Sequence, residues 1–296
     1  MSTTDLRVAG DGVTGEYRPA PASIPSARPQ GQGLTGVESE LPDSRRDLVN
    51  LVRTGSVASV HSWELVTAVD GPGTRMTVFF SGCPLRCLYC HNPDTMEMRR
   101  GEQVQTASLI DRMLRYRRIF ARTGGGITLS GGEPLMQPKA VARILRAAKT
   151  AGIHTAIDTS GNLGWRCTDE MLADLDLCLL DLKSGHRSTY QQVTGARLEP
   201  TVAFGQRLAR AGVEVWVRFV LVPGVTDDPE NIAEVARLAA QISTCTRVEV
   251  LPFHQMGRDK WDELGMEYQL AEVEPPSAAA VESARQIFRR HGLTTY

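Results

Sequence analysis

Long apolar runs are missing from this chain. No stretch of its 296 residues offers the roughly 20 consecutive hydrophobic residues that cross a bilayer as a helix. A basic start followed by an apolar core is missing too, so no secretory signal is expected. Charge of one sign does not dominate: 33 Lys and Arg against 34 Asp and Glu leave a net charge of -1, which provides no electrostatic footprint for nucleic acid. Cysteine is scarce, with six in all, too few for a disulfide scaffold. These absences point to the reducing cytoplasm and away from membrane and nucleic-acid partners.

The remaining composition, 42% hydrophobic and 23% charged, is that of a globular chain with room for one large barrel-type domain. Residues 1–56 differ from the rest. They are rich in Pro, Gly, Ser and Thr, as in "RPAPASIPSARPQGQGLTG", and hold few large apolar residues. Such a segment buries too little surface to offset its ordering entropy, so it is expected to be a disordered extension ahead of a domain over 57–296.

From Val57 onward strand and helix patterns alternate. Strands are expected at 75–82, 126–132, 153–161, 175–183, 213–224 and 247–254, each rich in β-branched or other apolar residues. Helices are expected at 106–120 with Thr106 as cap, at 137–152 with Pro138 in the first turn, at 200–212, at 227–242 behind an Asp cap, and at 276–292 behind Ser277. Twice a helix ends in Ala-Gly and runs straight into a strand, the rhythm of a βα repeat. About six units are countable, short of the eight of a closed barrel. The expected fold is therefore α/β, a partial, open TIM-type barrel. In such sheets ligands bind at the carboxyl ends of strands.

Half of the cysteines sit in "SGCPLRCLYCHNPDT", at Cys83, Cys87 and Cys90, a C-x3-C-x2-C spacing that follows a strand. Pro84 and Arg86 argue against a plain core segment. A structural zinc site wants four ligands, and the adjacency of Cys90 and His91 makes joint tetrahedral ligation awkward. Four-thiol ferredoxin spacings do not match. Iron–sulfur, zinc and chance all remain open on spacing alone. Three thiolates on a 4Fe–4S cube would leave one iron for a small molecule.

With the aromatic Tyr89 before its last cysteine, this loop resembles the radical S-adenosylmethionine superfamily. More narrowly, residues from about His61 to Tyr296 resemble the pyruvate formate-lyase activating enzymes, activases of glycyl-radical enzymes. The likeness rests on "VDGPGTRMTVFFSGCPLRCLYCHNPDT", "GGGITLSGGEPL", "GIHTAIDTSG", "LLDLK", "VWVRFVLVPG" and "VEVLPFHQMG", in that order. The N-terminal extension departs from the family pattern. The cysteine-rich insertion of some other activases is absent, which favours the pyruvate formate-lyase type over other glycyl-radical targets or a small-molecule substrate. A zinc-binding module without catalysis is the competing class.

The resemblance implies a 4Fe–4S cluster on Cys83, Cys87 and Cys90, with S-adenosylmethionine chelating the unique iron. Reductive cleavage would yield a 5′-deoxyadenosyl radical that abstracts hydrogen from a glycine of the partner. No side chain need act as acid or base in that cleavage. It implies cofactor contacts at Tyr89, Cys90, His91, Gly131, Gly132, Glu133, Asp181, Leu182, Lys183, Arg218 and His254, with Glu133 accepting from the cofactor ammonium. Asp158, Thr159 and Asp181 match a site for a monovalent cation. Asp70, Gly71, Pro72 and Gly73 border the opening for the partner's glycyl loop. The plainer readings are turns at "DGPG" and "SGGEP", helix-capping carboxylates and a structural histidine; for Arg218 the alternative is an acidic neighbour. Arg112, Arg115, Arg117, Arg118 and Arg122 form either a solvated helix face or a docking patch for an acidic electron donor, reduced flavodoxin or ferredoxin.

Overall fold

A computed structural model describes residues 34–37, 40–67 and 70–296, leaving out the side chains of Val66 and Thr67. Eight strands form a single sheet: β1 (Val57–Thr67), β2 (Thr74–Phe80), β3 (Glu102–Gln105), β4 (Gly126–Gly131), β5 (His154–Thr159), β6 (Leu177–Asp181), β7 (Glu214–Leu221) and β8 (Cys245–Pro252). Their order is β3-β1-β2-β4-β5-β6-β7-β8. The pairs β3–β1 and β1–β2 are antiparallel, and every later pair is parallel. The sheet does not close: β3 and β8 are its edges, and Thr294 and Tyr296 pair with Val248 along β8. The six parallel strands are the six expected units, and the architecture is an incomplete TIM-type barrel.

The helices are α1 (Arg45–Thr54), α2 (Thr106–Arg115), α3 (Arg117–Thr123), α4 (Pro138–Thr150), α5 (Asp169–Ala173), α6 (Arg187–Thr194), α7 (Glu199–Ala211), α8 (Pro229–Ala240), α9 (Arg258–Glu263) and α10 (Ala278–Arg290). They fill the crossovers between the parallel strands, with α1 ahead of the sheet and α9 and α10 after its last strand. Local chemistry sets their ends. Asp228 caps α8 by accepting from Glu230 and Asn231, and Ser277 caps α10 by accepting from Ala280. Gly212 ends α7 at φ 73°, a left-handed angle that β-carbon-bearing residues resist.

Three expectations change. The helix over 106–120 breaks into α2 and α3 at Tyr116, whose ψ of 0° cannot continue an α-helix. Thr106 lies inside α2 rather than capping it, because its hydroxyl donates to the Gly55 carbonyl at 3.1 Å. Within the stretch expected to be disordered, Arg45–Thr54 fold as α1, capped by Ser44 and ended by Gly55 at φ 75°. Leu34 and Val37 join the main core as well, so this stretch holds more apolar anchorage than its composition suggests. The remainder of that expectation, residues 1–33, 38 and 39, lies outside the described residues.

The two faces of the parallel strands have opposite characters. One face contributes Met76, Val78, Ile127, Leu129, Ile157, Cys178, Leu180, Val215, Val217, Phe219, Val248 and Val250 to a core shared with the helices. At about 1.5–3 kcal/mol per buried large apolar side chain, this face stabilises the domain. The other face carries Thr77, Ser130, Asp158, Asp181, Arg218 and Glu249, one on each strand. A second, smaller apolar cluster sits at the carboxyl ends. There Leu88, Tyr89 and Met96 of the cysteine loop pack with Phe253, Trp261, Leu264, Met266 and Tyr268.

Candidate active site

The cysteine loop leaves β2 at Gly82 and is pinned by backbone hydrogen bonds. Gly82 donates to Thr95 at 2.7 Å, Cys83 to Met96 at 3.0 Å, Arg86 to Thr194 at 2.8 Å and Leu88 to Val193 at 2.9 Å. Cys83, Cys87 and Cys90 are all free thiols. Burial first, then the neighbouring thiol of Cys87, pushes Cys83 well up and Cys90 to about 12; burial likewise raises Cys87, against the pull of Lys183. Such thiols stay protonated on their own, and a bound metal centre is what would make thiolates of them. No three His, Cys, Asp or Glu among the described residues stand where one metal ion could be held. A cubic cluster offers each thiolate its own iron at a separate corner, and three such thiols on one loop fit it.

Gly131 and Gly132 owe their identity to the chain itself. A β-carbon on Gly131, at φ 109°, would lie 2.3 Å from the Phe80 nitrogen, and one on Gly132 would lie 2.5 Å from the Gly82 carbonyl oxygen. Glu133 has protein partners of its own. Its fully buried carboxylate accepts from Thr159 Oγ1 (2.6 Å), Leu135 N (3.2 Å), Ser160 Oγ (2.6 Å) and Ser160 N (3.1 Å). Each oxygen takes two donors, and the side chain ties the end of β4 to the end of β5.

On the polar face, Arg218 stands among carboxylates: Asp158 at 3.2 Å, Glu249 at 3.5 Å and Asp70 at 3.9 Å. Of the two readings for Arg218, acidic neighbours are what the structure contains. Asp158 takes a hydrogen bond from Ser130 at 2.7 Å, while its Oδ1 is buried without a hydrogen-bond partner. Burial, with the charges of Asp181 and Asp70, raises Asp158 to about 6 against the pull of Arg218. Asp158 and Asp181 are near enough to repel, but the guanidinium of Arg218 already offers them positive charge, and the Thr159 hydroxyl is turned to Glu133.

Lys183 donates to Asp181 at 2.6 Å and lies 5.7 Å from the centre of the Tyr89 ring. Burial opposes its charge, yet Asp181 prevails and holds it well above the ordinary lysine range. Tyr89 is buried with its hydroxyl unpaired. His91 and His254 stack with ring centres 4.0 Å apart, and burial with the His254 charge lowers His91 to about 4. Leu182 does not face this group: its side chain joins the main core, and its N–H donates to the Arg218 carbonyl. The "DGPG" turn reaches the polar face through Asp70, which accepts from Thr77 at 3.2 Å; Pro72 accepts from the buried Arg75 at 3.2 Å, and Gly71 and Gly73 adopt φ 117° and 66°.

Several participants escape sequence reasoning. Glu249 and Arg75 are charges set among apolar strand residues, and the strict alternation around them was the available signal. Asp94, gripped by His61 at 2.8 Å and Lys260 at 3.3 Å, and Trp261, which donates to the Cys90 carbonyl at 2.9 Å, are joined over separations that carry no local signal.

Comparison with known proteins agrees with this geometry. Residues 77–236 match the radical SAM superfamily. The pyruvate formate-lyase-activating enzyme of Clostridium pasteurianum is 43% identical over 215 residues, covering 73% of this chain and 90% of that protein. The pyruvate formate-lyase 1-activating enzyme of Escherichia coli K12 is 37% identical over 238 residues, covering 80% and 97%. The fold is also that of a radical SAM methyltransferase from Sphaerobacter thermophilus, with TM-score 0.55 at 20% identity over 86% of this chain and 81% of that one. The chain belongs to the radical SAM superfamily and, within it, to the family of the pyruvate formate-lyase activating enzymes.

Proposed function

We propose that this chain activates pyruvate formate-lyase by generating a glycyl radical on it, using S-adenosylmethionine and a 4Fe–4S cluster. The observation that carries the reading is the three-thiol loop at the carboxyl ends of the strands, in a chain that spans nearly the whole length of activating enzymes 37–43% identical to it. Cys83, Cys87 and Cys90 would hold the cluster, which when bound supplies the electron for reductive cleavage of the sulfonium. The chain's own residues do the rest. His91 and His254 offer a stacked pair of rings beside the loop for a nucleoside base. Lys183, kept charged by Asp181, offers a cation to a carboxylate. Asp158, with one unpaired oxygen, would accept from a bound polar group or meet a monovalent cation. The "DGPG" turn borders the entry for the partner's loop, and the incomplete sheet leaves that side open.

Reduced flavodoxin or ferredoxin would supply electrons, docking on the exposed Arg115, Arg117 and Arg118. Among the described residues no helix is long and apolar enough to cross a membrane, and the enzyme would work in the cytoplasm. The test is anaerobic incubation of the reconstituted protein with reductant, S-adenosylmethionine and pyruvate formate-lyase. A glycyl-radical doublet in electron paramagnetic resonance supports the reading. Cleavage of the cofactor without a doublet on this partner overturns the target, and no cleavage overturns the chemistry.

A further inference from the structure

Gly82 and Cys83 tie the start of the cysteine loop to its far end at Thr95 and Met96, and Arg86 and Leu88 tie it to α6. The stretch from Cys90 to Asp94 between these pins is anchored differently. Trp261, 3% exposed, donates its indole N–H to the Cys90 carbonyl at 2.9 Å. Its neighbour Lys260 donates to Asn92 Oδ1 at 2.8 Å and pairs with Asp94 at 3.3 Å, and His61 on β1 holds Asp94 from the other side. A β-carbon on Gly257 would come within 2.8 Å of the His91 α-carbon, so this segment lies directly on the loop backbone. Gln255 closes the segment on itself by donating to the carbonyls of Ala271 (2.9 Å) and Val273 (2.8 Å). Trp261 packs on Tyr268 at 5.5 Å between ring centres.

We propose that α9 is a clasp on the cluster-bearing loop, with Trp261 and Lys260 as positioning residues that hold Cys90 in place for the cluster. This rests on the cluster reading given above. Two consecutive residues on one short helix hold the backbone at Cys90 and the side chains two and four positions beyond it. That arrangement fixes both the position of the third thiol and the direction in which the chain leaves it. Without the indole donor the Cys90 carbonyl loses its partner in a buried setting, and the stretch carrying this ligand is freed to move.

The experiment uses the full chain, reconstituted anaerobically with iron and sulfide. Trp261→Phe keeps the aromatic packing and removes only the donor; Lys260→Met removes the second hold, and Lys260→Arg partly restores it. Leu264→Ala loosens the same apolar cluster while leaving the hydrogen bonds from Trp261 and Lys260 to the loop in place. Iron release is followed by visible bleaching in excess EDTA under anaerobic conditions. Loss of one buried hydrogen bond should speed release about threefold to tenfold in Trp261→Phe. The spectrum of the reduced cluster in electron paramagnetic resonance should shift in Trp261→Phe and not in Leu264→Ala. Wild-type release and spectrum in Trp261→Phe overturn the clasp. Equal acceleration in Trp261→Phe and Leu264→Ala with unchanged spectra also overturns it, because general loosening then accounts for the effect. If the wild-type chain takes up no cluster, the cluster reading itself fails and the clasp falls with it.

Discussion

Glu133→Gln separates two accounts of the "SGGEP" turn. The carboxylate receives four hydrogen bonds, two from backbone N–H groups of Leu135 and Ser160 and two from the hydroxyls of Thr159 and Ser160. A carboxamide presents one oxygen and one NH2. Either orientation sets the NH2 against one backbone N–H and one hydroxyl. The hydroxyl can turn and accept, but the N–H cannot, and a buried donor without an acceptor costs about 1–3 kcal/mol. The other bonds lose their charge assistance, roughly another 1 kcal/mol each. The expected loss is about 3–5 kcal/mol, a large part of the ~5–15 kcal/mol available to a folded domain. Urea unfolding of the cluster-free protein, followed by circular dichroism at neutral pH, measures it. Burial raises the Glu133 pKa against the pull of its donors, so protonation in the fold is the competing physical account. A glutamine mimics a protonated carboxyl well. A variant within about 1 kcal/mol of wild type would therefore refute the ionised, four-donor reading. If its binding of S-adenosylmethionine were weakened as well, the ammonium role would be supported.

Three further outcomes are expected. Arg218→Met leaves Asp158, Asp70 and Glu249 facing one another without their shared cation, at a cost of about 3–5 kcal/mol in urea unfolding, and adding Asp158→Asn should recover part of it; wild-type stability in the single variant contradicts this. Gly132→Ala places a methyl 2.5 Å from the Gly82 carbonyl oxygen and 2.9 Å from that of Thr95, so it should cost about 1–3 kcal/mol and speed iron loss, and a silent variant would show the contact to be slack. Burial works against the charge on Asp94, but His61 and Lys260 hold its pKa below the ordinary value. Its contribution is present above the unfolded-state pKa and is lost as pH falls through the folded one. The stability gap between wild type and Asp94→Asn should therefore narrow from about pH 5 to about pH 3 in urea midpoints, and a constant gap rejects it.

What was readable in the sequence follows from the locality of each signal. The parallel strands and their helices carry their own punctuation, as Pro138 and Gly152 do around α4, and each strand has one face that must be apolar. β1 was missed because "VASVHSWELVT" mixes polar and apolar residues without a period, being antiparallel to both neighbours. The break at Tyr116 was missed because neither proline nor glycine marks it. In the site, the three cysteines lie within eight residues and were legible as a group. Three of the four donors to Glu133 lie 26 or 27 residues away, and the partners of Arg218 come from three other segments, so their bonding depends on register, which no local pattern encodes. The motif residues were found, but what Glu133, Thr159 and Leu182 touch was not.

The backbone pins along the cysteine loop bear on how a metal centre would be installed. In many small metal-binding modules the ion must organise a floppy peptide, and binding energy is consumed in doing so. Here Thr95, Met96, Val193 and Thr194 already accept from the loop, and Gly82 accepts from Glu133. These bonds hold the loop through the protein's own groups. Loading must desolvate the site and release protons from three thiols, and amide exchange at the pinned N–H groups, with and without the metal centre, measures how much of the loop's order comes from the protein alone.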